Sequence, residues 1–163
     1  MKKKYLLFWR IAFIIYIILL MIFIVLKYKG SLSELMNRAN NIIYSRNLGF
    51  WNANFIPFNT VNSYLKSFSN IALENILGNI IAFLPLGFLL PIVSTKQNKF
   101  INSMLTCLLI IICIEIFQFI TCLGYFDIDD IILNELGCII GFCINFLCRI
   151  ILDKKILHTD LLE

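Results

Sequence analysis

The sequence predicts an all-α integral membrane protein with four transmembrane helices and a loop carrying a short interfacial helix. Three observations carry that prediction. Four apolar stretches, Leu6–Leu26, Ile71–Ile92, Phe100–Ile120 and Ile131–Leu152, each hold 21 or 22 residues, and about 20 suffice to cross the hydrocarbon core of a bilayer. The chain is 60% hydrophobic with a mean hydropathy of +0.88, which leaves too few polar residues to coat a soluble domain of 163 residues. The acidic and amide residues of the last three stretches lie at one end of each. With alternating directions those ends share one face of the membrane.

The first stretch follows Lys2-Lys-Lys4. A signal peptide also begins this way, but the apolar run is longer than an h-region and no small-residue cleavage site follows Leu26. An uncleaved anchor is expected, bracketed by Trp9 and Tyr28 as interfacial aromatic residues. Residues 1–26 therefore read as a short cytoplasmic tail plus the first span. With four spans both termini share a side. That side collects Lys2–Lys4, Arg10, Lys96, Lys99, Arg149, Lys154 and Lys155, whereas Lys27, Lys29, Arg38, Arg46 and Lys66 are diluted over the long loop. The positive-inside rule puts both termini in the cytoplasm and the polar ends of the spans in the outer leaflet. The net charge of +4 thus reflects topology and gives no reason to expect nucleic acid.

Residues 27–70 form the extracytoplasmic loop. Ser31-Leu-Ser-Glu34 reads as a helix N-cap with its glutamate three residues on. Leu32, Leu35, Met36 and Ala39 follow at helical spacing, predicting a surface helix through about Tyr44. Asn47–Trp51 reads as a turn around Gly49. In Asn54-Phe-Ile-Pro57-Phe58-Asn-Thr60, Pro57 biases Ile56 toward an extended backbone. This loop either re-enters the interface, with Phe55 and Phe58 dipping inward to cap the bundle mouth, or is a plain surface loop with a proline turn.

In the second span Asn75, Gly78, Asn79 and Ala82 share a helical stripe, with Pro85 predicting a kink and Pro91 marking the inner end. In the third, Glu115 and Gln118 share one face. In the fourth, Asn134, Gly137, Gly141 and Asn145 form a small and polar stripe suited to close helix contact, either within one chain or between two copies of a homo-oligomer. Residues 153–163 read as a cytoplasmic tail. The six cysteines show no metal-site spacing and read as packing residues; Cys122 alone sits where a disulfide is conceivable, without a partner at its depth. His158, the only histidine, lies in the tail, so the polar cluster has no histidine for catalysis or zinc.

The candidate site is that cluster: Glu74, Asn75, Asn79, Glu115, Gln118, Asp127, Asp129, Asp130 and Asn134, with Glu135 at its edge and Asn54, Pro57 and Phe58 as a capping loop. Ionisable groups within membrane spans point to function. No cation stands near them in the helices. Asp127, Asp129, Asp130 and Glu115 are the candidate oxygen ligands for a divalent cation such as Ca²⁺ or Mg²⁺. Paired carboxylates, Glu115 foremost as the deepest, also suit general acid–base work on a lipid-linked substrate. The amides equally suit plain hydrogen bonding between helices or to a polar ligand.

Four motifs in order, Asn54-Phe-Ile-Pro57-Phe58, Asn75-Ile-Leu-Gly78-Asn79 through Pro85-Leu-Gly87, Glu115-Ile-Phe-Gln118, and Asp127-Ile-Asp129-Asp130 through Asn134-Glu-Leu-Gly137, resemble the VanZ-like family of small bacterial membrane proteins. The resemblance covers roughly residues 50–152 as a VanZ-like membrane domain. It implies a multi-pass protein of the bacterial cytoplasmic membrane, contributing to low-level resistance to teicoplanin-like glycopeptide antibiotics. Its implied partners are membrane lipid and either the antibiotic or a cell-wall precursor lipid. Many relatives carry an Arg shortly before the Asp-x-Asp-Asp run; Cys122-Leu-Gly-Tyr-Phe126 has none. An enzyme working on a lipid-linked envelope substrate is the alternative.

Overall fold

The computed structural model describes residues 3–26, 31–67 and 70–160; Tyr28, expected as an interfacial residue, lies outside them. Helix α1 spans Lys3–Leu26, α2 Leu32–Asn47, α3 Asn59–Ser67, α4 Asn70–Val93, α5 Phe100–Thr121 and α6 Ile128–Asp160. A 3₁₀ turn, Thr95–Asn98, joins α4 to α5. Two-residue strands β1 (Ala53–Asn54) and β2 (Phe126–Asp127) pair in parallel, with Ala53 opposite Phe126 and Asn54 opposite Asp127. Among the described residues four helices are long and apolar enough to cross a membrane, through Lys4–Ile24, Leu73–Val93, Phe100–Thr121 and Ile128–Leu152. The protein is an all-α, multi-pass membrane protein, with spans within a few residues of those predicted. Helix α6 continues to Asp160, so most of the expected tail is helical.

The bundle is held by the packing of α4 on α6, and glycine makes it close. A Cβ built on Gly137 would sit 2.3 Å from the Ile80 carbonyl oxygen, on Gly141 2.0 Å from that of Leu84, and on Gly87 1.9 Å from that of Cys138. Backbones meet there with no room for a side chain, as dispersion-driven packing in lipid favours. Gly137 and Gly141 thus pack against α4 of the same chain, the first of the two expected alternatives. Side chains bond across the same seam to α4 carbonyls: Asn145 Nδ2 donates to Phe88 O at 3.0 Å and Arg149 Nη2 to Pro91 O at 2.8 Å. Pro85 and Pro91 both stay inside α4, so Pro91 does not end the helix. Tyr16 on α1 donates its hydroxyl to Ala82 O at 2.9 Å, in the turn that Pro85 weakens. The core, which includes Leu20, Phe83, Leu86, Cys107, Ile111 and Cys138, fills the centre. All six cysteines are free thiols, Cys122 included.

The long loop is more built than predicted. Ser31 caps α2 as expected, its hydroxyl accepting the Glu34 N–H at 3.1 Å. The inward face of α2, however, centres on Arg38, buried Ile42 and Arg46, while Met36 is exposed. Residues 54–60 are more than a plain surface loop with a proline turn. They run from β1 through a turn, with Phe58 in the left-handed region (φ 63°), into α3, a helix absent from the expectation.

Candidate functional site

The polar ends of α4, α5 and α6 meet α2, β1 and α3 at one end of the bundle. There they enclose a chamber of about 420 Å³ lined by Arg38, Trp51, Asn54, Thr60, Tyr64, Gln118, Tyr125, Asp127 and Asp130, among others. Its walls are built by the Asp-x-Asp-Asp run, whose three carboxylates do different work.

Asp129 is 1% exposed and turned away into the loop. Its Oδ1 accepts the Phe58 N–H at 2.5 Å and its Oδ2 the Val61 N–H at 2.9 Å. It therefore stabilises the first turn of α3 from another element, as an N-cap would from within. Asp127 ties β1 to α3. Its Oδ2 accepts the Thr60 hydroxyl at 2.6 Å and its Oδ1 the Asn54 amide at 3.1 Å and the Asp129 N–H at 2.9 Å. Burial pushes the Asp127 carboxyl above the usual carboxylate range, with the Asp130 and Asp129 charges adding to the push, while the Thr60 hydroxyl and Asp129 N–H act against it. Asp130 faces the chamber and accepts the Asn79 amide at 2.5 Å.

The remaining predicted residues divide. Gln118 lines the chamber. Asn75 donates to the Tyr64 hydroxyl at 3.3 Å, at the chamber's edge. Asn54 of the expected capping loop lines the wall, but Pro57 and Phe58 are exposed and form the turn behind it. Glu115 is 2% exposed and lies beneath the wall, where its Oε2 accepts the Asp127 N–H at 3.3 Å. Asn134 is buried one turn below Asp130, with its Oδ1 unpartnered. Glu74 is exposed on the flank of α4, outside the lining. Asp127, Asp129, Asp130 and Glu115 do not gather as metal ligands: among the described residues no three His, Cys, Asp or Glu side chains are placed to hold an ion.

Sequence reasoning missed the cations. Arg38 reaches from α2 into the chamber wall, its Nη1 donating to Leu123 O at 3.0 Å. The expectation of no cation in the membrane-spanning helices overlooked the loop: the guanidinium absent from residues 122–126 arrives against them from α2. Arg46, two turns on, donates to Asn52 Oδ1 at 2.7 Å and to the Phe119 carbonyl, with its guanidinium 4.5 Å from the Phe119 ring centre and 5.9 Å from that of Trp51. Asn52, 2% exposed, passes the link on through Gly124 O at 2.6 Å. Residues 38, 42 and 46 recur every fourth position. Two arginines flanking an isoleucine on one helical face was the available signal.

A family model described as VanZ/LLP1 matches residues 13–150. No curated protein and no solved structure matches the chain.

Proposed function

From the premise that the chain belongs to the VanZ/LLP1 family, we propose that it is a bacterial envelope protein that lowers sensitivity to teicoplanin-like glycopeptides. It does so by holding a polar group of the antibiotic or of an envelope lipid in the chamber. The carrying observation is the chamber itself. Its volume lies in the range of small-ligand sites, and a guanidinium, two carboxylates and three amides converge on it. The basic residues Lys96, Lys99 and Arg149 mark the opposite end of the bundle, so the positive-inside rule supports a cytoplasmic membrane protein with both termini inside. The chamber then opens in the outer leaflet, where envelope lipids and lipophilic antibiotics meet.

The second reading is a membrane enzyme on a lipid-linked substrate. Asp127 and Asp130 both line the chamber, one of them with a raised pKa, a pattern general acids share. Against it, both Asp127 oxygens are already engaged by the chain.

Teicoplanin and vancomycin susceptibility in a sensitive Gram-positive host tests the first reading, with wild type, Asp130→Asn and Arg38→Gln at matched membrane levels. Protection selective for teicoplanin and lost in both variants is expected. No protection by the wild type would refute the resistance reading, and full protection by both variants would remove the chamber from it. Lipid and precursor pools that differ by mass spectrometry only when Asp127 and Asp130 are intact would favour the enzyme.

A further inference from the structure

An apolar groove of about 360 Å³ runs between α1 and α4, with Tyr16, Leu19, Phe23, Gly78, Ile81 and Pro85 in its walls. It lies wholly within membrane-spanning segments. Gly78 is unlike the glycines of the α4–α6 seam. A Cβ there would meet nothing within 4 Å, whereas Gly87, Gly137 and Gly141 are each closed by backbone. The polar Tyr16 hydroxyl is spent on Ala82 O, so the groove offers hydrocarbon to hydrocarbon.

The groove starts one helical turn along α4 from a residue that touches the chamber wall. Asn75 stands one helical turn before Gly78 on the same face of α4, and its amide reaches the Tyr64 hydroxyl, whose side chain lines the chamber. From Gly78 to Pro85 the helix rises roughly 10 Å, and the groove beside it offers about 360 Å³ of apolar space to an extended hydrocarbon chain. The chamber selects the head. Arg38 against Asp127 and Asp130 leaves one net negative charge when all three are ionised (+1 − 2 = −1), which disfavours a phosphate. The aromatic side chains of Trp51, Tyr64 and Tyr125 beside amide and carboxylate acceptors suit an uncharged, hydroxyl-rich ring.

We propose that chamber and groove form one site for a glycolipid, the chamber taking an uncharged sugar head and the groove one hydrocarbon chain. This rests on the chamber being the ligand site, as proposed above.

The test uses the full chain in nanodiscs of phosphatidylglycerol containing diglucosyldiacylglycerol, with retained lipid read by native mass spectrometry. The wild type should keep the glycolipid over phosphatidylglycerol by about tenfold. Gly78→Phe, which fills the groove from α4, and Leu19→Trp, which fills it from α1, should each cut glycolipid retention about tenfold, the effect of losing roughly two buried methylenes. Both should leave binding of methyl maltoside unchanged. Should one variant fail to insert, the other still decides. Undiminished retention by an inserted variant overturns the groove; equal retention of phosphatidylglycerol overturns the sugar head; a dimer without lipid overturns both. Glycolipid retention without teicoplanin protection refutes only the resistance reading and leaves this site standing.

Discussion

Replacing Asp129 with alanine should loosen α3 without unfolding the bundle. In the wild type its two oxygens accept the Phe58 and Val61 N–H groups at 2.5 and 2.9 Å. A hydrogen bond to a charged group contributes roughly 1.5–3 kcal/mol, so two give at least about 3 kcal/mol in a dry site. Phe58 is exposed and Val61 half-buried, so water replaces part of each bond, leaving a net loss of about 2 kcal/mol, the upper range for a removed helix cap. The Asp127 bonds to Thr60 and Asn54 remain, so the loss is local. Two kcal/mol is roughly a 30-fold change in an opening equilibrium. Hydrogen–deuterium exchange on protein in micelles should therefore show amides 58–67 exchanging about 30-fold faster, with the α6 amides around Gly137–Asn145 unchanged as an internal control. Asp129→Asn keeps one acceptor oxygen but turns an amide donor toward an N–H, so it should resemble alanine more than wild type. Exchange at 58–67 within twofold of wild type in an inserted Asp129→Ala protein would refute the capping role.

Gly141→Ala should cost about 1–3 kcal/mol, because the new Cβ meets the Leu84 carbonyl at 2.0 Å, whereas Gly78→Ala, with open space, should be neutral or stabilising by about 0.5–1 kcal/mol; thermal unfolding in micelles compares them. Arg46→Lys should not rescue Arg46→Ala, since an ammonium cannot reproduce the planar fork that reaches both Asn52 and Phe119 O; proteolysis of the 119–126 turn reads this, and equal resistance of the Lys variant and wild type would refute it. The raised Asp127 pKa disfavours the ionised form in the folded state. Its contribution to stability is therefore greatest below the ordinary carboxylate pKa of about 3.9, falls as pH rises from there through the folded-state value, and is flat above. Asp127→Asn should remove that decline, and identical pH profiles for wild type and variant would contradict it.

Span number and limits, the α2 cap and the clustering of the polar ends could be read from the chain because each depends on local pattern: run length, residue type at a cap, helical period. The family resemblance rests on the same kind of ordered local signal, and its match covers residues 13–150. Asp127, Asp130 and Gln118 were legible as chamber residues because they fall at span ends that alternation must bring together, and Asn54 as part of the capping loop. What a carboxylate faces is another matter. Neighbouring residues on a helix point about 100° apart, so Asp129 turns to α3 while Asp130 turns to the chamber. Only the position of α3 assigns those roles. Depth in a span likewise made Glu115 look central and Glu74 look like a lining residue. The Phe126–Asp127 strand packs over the one, and the other faces outward. Arg38 and Arg46 lie in a loop about eighty residues from the carbonyls they meet, and no local period encodes a contact of that separation. The seam glycines show the same division. The small-residue stripe of α6 announced close packing, but whether it met α4 or a second copy depended on where α4 came to lie.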